Sequence, residues 1–143
     1  MILVSACLVD LQCRFDGTSC PKPSVLDERA DEGVVPVCPE QLGGLPTPRS
    51  PAVIVGGDGH DVLAGRARLV NGDGQDVTEH FLRGAREVLA LAQRLGIRKA
   101  WLKSKSPSCG LGGLSDGLGG VRPGDGVTAA LLIENGIEVV CVE

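Results

Sequence analysis

Apolar positions in the 143-residue chain fall into short runs separated by glycine- and proline-rich stretches, with one long amphipathic stripe. Ile2 to Ala6 is an apolar run that ends at Cys7 and predicts a buried first strand. Residues 10 to 23 break the pattern and read as loop. Val25 to Glu32 predicts a short helix, with Ser24 as its N-cap and Gly33 just past its end. Val34 to Val37 is the next β-branched run, and Pro36 assigns it to a strand end or a sheet edge. Residues 39 to 60 hold four Pro and five Gly and predict a long irregular loop. The stripe follows. Phe81, Ala85, Val88, Ala92 and Leu95 recur at helical spacing and predict a helix from Glu79 to Leu95, capped by Thr78 and stopped by Gly96. Ile97 to Lys103 reads as a strand, Val127 to Asn135 as a last helix ended by Gly136, and Ile137 to Val142 as a last strand.

This alternation implies an α/β fold: a single-domain, Rossmann-like three-layer sandwich spanning 1–143, with a mostly parallel sheet. Parallel sheets bind ligands outside the carboxyl ends of their strands. Cys7 directly follows the first predicted strand, Cys38 the second, and Cys109 lies six residues past the third. Three thiols distant in sequence are therefore expected at one sheet edge, without any CxxC spacing.

Composition sharpens this expectation. Cys occurs six times and Gly 21 times, and eight of the seventeen residues from Gly110 to Gly126 are Gly. The net charge of -4 and the three aromatic residues (Phe15, Phe81, Trp101) argue against a nucleic-acid phosphate or base-stacking surface. Met1 to Val9 is apolar but too short, and too poor in leading positive charge, for a secretory signal. No run approaches a membrane span. The expected compartment is the cytoplasm, where thiols stay reduced and read as metal or catalytic groups rather than disulfides.

Converging thiols flanked by Pro and Gly suit a metal or iron–sulfur core whose open position acts as a Lewis acid. A single Cys is equally an ordinary small core residue. For Cys7 and Cys38 both readings stay open, Cys109 in its polar loop favours the ligand, and Cys141 favours the core. Cys13 and Cys20 read as free thiols, with a fourth-ligand role as the alternative. Glu40, two residues after Cys38, is a candidate general acid or base, and otherwise a solvated carboxylate. Ser106 and Ser108 are candidates to bind substrate or pass protons, and otherwise turn formers. Lys103 and Lys105 would place positive charge near an anion, or lie on the surface. The glycines after Cys109 would cradle an anion or form a lid. His60 and His80 share no metal-ligand spacing and read as surface groups.

Five stretches together resemble the thiouracil desulfidase family: Ser5-Ala6-Cys7-Leu8, Cys13-Arg14-Phe15-Asp16-Gly17, the long string Val35 to Arg49 containing CPEQLGGLPTPR, Ser106 to Gly110, and Gly124 to Leu132. The resemblance spans nearly the whole chain in the family's order. It implies a [4Fe-4S] cluster on Cys7, Cys38 and Cys109. It also implies non-redox desulfuration of a thiolated pyrimidine to the oxo base plus sulfide, with Glu40 moving protons and Ser108 or Ser106 orienting the base. Asp10 stands where the family has Gly, and Phe15 where it has Tyr. Gly112 to Gly120 lacks the family's aromatic residues, which removes a stacking partner for a pyrimidine. The expected partner is a small thiolated nucleobase rather than nucleic acid or membrane. The competing reading is a non-catalytic metal, iron–sulfur or sulfur-binding module. A thiol redox protein using Cys13 and Cys20 ranks last because CxxC is missing.

Overall fold

Four short strands, β1 (Ile2–Ser5), β2 (Val34–Val37), β5 (Lys99–Lys103) and β8 (Glu138–Val142), pair in parallel in the order β2-β1-β5-β8. The computed structural model describes residues 1–143. Alternation decides the two faces. Leu3, Ala100, Leu102 and Val139 face the long helix α4 (Thr78–Leu95) and α5 (Val127–Glu134), and meet Val88, Ala92, Ala129 and Leu132. Ile2, Val4, Trp101 and Val140 face the other way, toward Val25 of α1 (Pro23–Arg29). The result is the expected three-layer α/β sandwich. Full burial of a Leu or Val is worth roughly 1.5–3 kcal/mol, so the fully buried Leu3, Val4 and Leu102 anchor the sheet. Pro36 sits in the edge strand, where its missing N–H disrupts no ladder.

Chain order sets where the ligand edge lies. From β1 the chain crosses to β2 on one side, then returns past β1 to β5 on the other. The carboxyl ends of β1 and β5 therefore flank a topological switch point, where open parallel sheets bind ligands.

Several expectations are corrected. The first helix begins at Pro23, a favourable first-turn residue, so Ser24 lies inside the helix; it ends at Arg29, and a 3₁₀ turn (Ala30–Glu32) continues to Gly33. Residues 39 to 60 are not irregular throughout: they contain α2 (Pro39–Leu42), strand β3 (Ala52–Val55) and the start of α3 (Gly59–Leu63). Strand β3 pairs antiparallel with β4 (Arg68–Asn71) across the intervening α3, and this two-stranded sheet closes a second core around Ile54, Leu69, Phe81 and Leu114. Here Gly and Pro punctuate short elements instead of abolishing them. Thr78 does not cap α4. Asp76 accepts the Thr78 N–H at 2.9 Å, while the Thr78 hydroxyl accepts from Leu69 N–H. The Gly-rich stretch holds a small hairpin, β6 (Gly113–Ser115) with β7 (Val121–Pro123).

Candidate active site

Each strand end delivers one thiol by a different local device. Cys7 lies in the 3₁₀ turn Ala6–Val9 immediately after β1. That turn ends in Asp10 at φ 70°, a left-handed conformation that favours Gly and that Asp tolerates, which accounts for the departure noted at this position. Cys38 occupies the N-cap position of α2, with Pro39 starting the helix and Glu40 in its first turn. Cys109 closes the loop after β5. Ser106 Oγ accepts the Ser108 and Cys109 N–H groups, both at 3.1 Å. The first turn of α5 grips the same loop, through Thr128 and Ala129 N–H to the Ser108 carbonyl.

These loops wall a cavity of about 540 Å³, within the range of small-molecule sites. Cys7, Cys38, Cys109, Glu40 and Ser106 all line it. Ser108 does not. It is fully buried, and its hydroxyl pairs with Thr128 Oγ1 at 2.8 Å. Lys103 and Lys105 reach the wall, with Lys103 Nζ donating to Ser104 Oγ at 3.1 Å. Phe15 and Phe81 supply the rings that Gly112 to Gly120 lacks.

Three residues beyond the expected set reach the site. Cys13, read as a free thiol, is 5% exposed and lines the cavity, and its carbonyl faces the Cys38 thiol at 3.7 Å. Arg49, the last residue of the CPEQLGGLPTPR string, pairs with Glu40 at 2.5 Å. The backbone N–H of Arg49 also holds the Phe15 carbonyl at 2.7 Å. His80, read as a surface group, also lines the cavity and bonds the Gly43 carbonyl at 2.8 Å, fixing the end of α2. Cys20 and Cys141 lie away from the cavity, the latter exposed on edge strand β8. His60 joins Asp125 and Glu134 in a latch between α3 and α5.

Hydrogen bonding, burial and the Glu40 charge favour the protonated thiols of Cys13, Cys38 and Cys109. Hydrogen bonding with Cys13, burial and the Glu40 charge hold Cys38 far above the ordinary thiol range. Burial first, then Glu40, push Cys109 up to about 12 against hydrogen bonds from Ser5 and Ser108. Cys13 is drawn down by its bond with Cys38, but bonding to Cys7, burial and the charges of Cys7 and Glu40 outweigh this and raise it to about 11.

Residues 2–143 match the family described as 2-thiouracil desulfurase. The chain belongs to the 2-thiouracil desulfurase family. It is 44% identical over 142 residues to the uncharacterized protein YbbK of Bacillus subtilis (strain 168), covering 98% of this chain and 94% of that one. Among solved structures it resembles the [4Fe-4S]-dependent thiouracil desulfidase TudS, with a TM-score of 0.85 and 42% identity over 98% of this chain and 89% of that one. No helix of this desulfurase-family chain is long and apolar enough to cross a membrane.

The donor set bears on the kind of metal centre. Cys7, Cys38 and Cys109 offer sulfur alone, and soft thiolate donors suit an iron–sulfur core, zinc or copper(I) rather than a hard cation. A separate group in this desulfurase-family chain, Asp58, His60 and Asp125, has its side-chain atoms engaged in hydrogen bonds that cap α3 and hold Gly112.

Proposed function

We propose that this chain, acting as one domain in a reducing cytoplasm, removes sulfur from a small thiolated pyrimidine such as 2-thiouracil, giving the oxo base and sulfide. The convergence of three strand-end thiols and one carboxylate on a single cavity carries this reading, and membership of the desulfurase family supports it. Cys7, Cys38 and Cys109 would hold a [4Fe-4S] cluster. When bound on three thiolates, such a cluster supplies an open iron that acts as a Lewis acid toward a thiocarbonyl sulfur.

The chain's own groups supply the rest. Phe15 and Phe81 give the planar ring apolar surface within the cavity. Glu40 Oε2 is held by Arg49, which leaves Oε1 to take a proton from the water that adds to the ring carbon. Ser106 Oγ accepts two backbone N–H groups, so its own hydrogen is free to donate into the cavity. That gives Ser106, rather than the buried Ser108, the role of orienting the base or passing the proton. The balance is non-redox: water provides the carbonyl oxygen and two hydrogens, and sulfur leaves as hydrogen sulfide.

The test is purification without oxygen, followed by iron and acid-labile sulfide analysis and chromatography of 2-thiouracil reactions. Equal iron and sulfide, with uracil formed, are expected. Cys7→Ser, Cys38→Ser and Cys109→Ser are each expected to abolish the cluster, while Cys141→Ser keeps it. An iron-free chain after reconstitution would overturn the cofactor assignment. A loaded chain that releases no sulfide from any thiolated pyrimidine would overturn catalysis in favour of a binding module.

A further inference from the structure

Arg49 joins three segments of the site wall: α2, the Cys13–Phe15 loop and the Pro46–Thr47 strap. Its side chain is 6% exposed. One terminal nitrogen donates to Glu40 Oε2 at 2.5 Å and to the Cys13 carbonyl at 2.9 Å; the other donates to Thr47 Oγ1 at 3.0 Å and the Pro46 carbonyl at 3.3 Å. Its backbone N–H reaches the Phe15 carbonyl. The fixed fork of a guanidinium can serve these acceptors at once, which a lysine ammonium does with less geometric control.

The carboxylate it holds is itself 15% exposed, and Oε1 takes no hydrogen bond from the protein. Helix α2 packs against α4, which fixes the Glu40 backbone but leaves its side-chain torsions to be set by other contacts. An unclamped Glu40 side chain would sample several rotamers, and a carboxylate displaced by about 1 Å loses on the order of 10²-fold in rate.

We propose that Arg49 is a positioning residue of the reaction: it clamps Glu40 Oε2 so that Oε1 is aimed into the cavity, and it ties that carboxylate to the Cys13–Phe15 wall. The proposal rests on the reading of Glu40 as the proton acceptor.

The experiment compares Arg49→Met, Arg49→Lys, Glu40→Gln and the Glu40→Gln/Arg49→Met double variant, all loaded anaerobically. Iron and sulfide content, uracil binding followed through the visible absorption of the loaded protein, kcat and KM are measured for each. Arg49→Met is expected to lower kcat by about 10²-fold with KM, cluster content and uracil affinity within about threefold of wild type. Arg49→Lys should recover part of the loss. In the Glu40→Gln background, Arg49→Met should lower kcat no further, because its effect passes through the carboxylate. The double variant also guards against misfolding, since it leaves no unpaired buried charge.

A further multiplicative loss in the double variant, or loss of iron from the loaded Arg49→Met protein, would overturn the positioning role. Glu40→Gln at wild-type kcat would instead overturn the role of Glu40, and Arg49 acting through it would fall as well. Loss of turnover in Glu40→Gln, with additive loss from Arg49→Met, would leave the Glu40 reading standing and refute only the clamp.

Discussion

Helix α2 carries Cys38 at its start and Glu40 in its first turn, and its position depends on two missing side chains. Gly43 at its end faces His80, and Gly84 in the middle of α4 faces Pro39. A Cβ on Gly84 would come within 2.8 Å of the Pro39 carbonyl carbon and nearer still to its oxygen. Ordinary carbon contacts lie at about 3.5–4.0 Å, so Gly84→Ala must push α2 away by roughly 1 Å. Two terms oppose each other in stability. Alanine gains about 1 kcal/mol over glycine inside a helix. Overpacking costs about 1–3 kcal/mol. The net loss is roughly 0–2 kcal/mol, which for a chain of this size lowers Tm by about 0–6 °C. Function should suffer more than folding, because a 1 Å displacement of the carboxylate is worth on the order of 10²-fold in rate. Thermal melts and steady-state sulfide release from 2-thiouracil measure the two effects separately. Ala90→Gly on the exposed face of the same helix is the control, expected to lose about 1 kcal/mol without change in turnover. A Gly84→Ala protein that is fully active and about 1 kcal/mol more stable than wild type would refute the close approach and its role in aiming α2.

The two serines of the Ser106–Cys109 loop should separate cleanly. Ser108→Ala leaves the Thr128 hydroxyl buried without a partner and should cost about 1–3 kcal/mol in denaturant unfolding, with kcat nearly unchanged. Ser106→Ala should lower kcat by on the order of 10²-fold, and the reverse pattern would return the proton role to Ser108. The latch between α3 and α5 should respond to pH. The hydrogen bond that His60 donates to Asp125, then the bond to Glu134 and the nearby Asp58 charge, hold His60 above its ordinary value of 6.5 despite partial burial. Its stabilisation is therefore complete below that value and lost as pH rises through the folded pKa. Melting curves across about pH 6 to 9 should show a decline that His60→Gln flattens; an identical decline in the variant would remove His60 as its source.

Periodicity carried the sheet and the long helix, because a stripe such as Phe81 to Leu95 and runs such as Ile2 to Ala6 are local consequences of burial. The edge placement of Pro36 followed instead from its missing N–H. Periodicity failed between 39 and 60, where β3 and α3 are four and five residues long and owe their stability to the second core rather than to propensity. The thiol convergence was legible because parallel topology alone puts strand ends at one edge. The cavity wall was not. Arg49 meets Glu40 nine residues away and Cys13 thirty-six residues away, through a strap whose path no pattern encodes. Ser106 and Ser108 share one motif, and only the grip of α5 on the loop decides which hydroxyl faces the cavity.

The glycine excess shows the same division between turn and site. Thirteen of the 21 glycines adopt positive φ, so most of the excess serves the many short turns of a chain with small elements. A smaller group does what the sequence suggested only in part. The backbone does come close to something at these positions, but the neighbour is other backbone. Gly84 and Gly43 let α2 and α4 touch, and a Cβ on Gly126 would run into the Ser108 carbonyl. Each of these contacts sits behind a proposed ligand, Cys38 in the first case and Cys109 in the second. The spacing of thiols around the cavity is thus set by helix backbones pressed against the ligand loops from outside. A side chain added at either crossing would move a thiol without touching it.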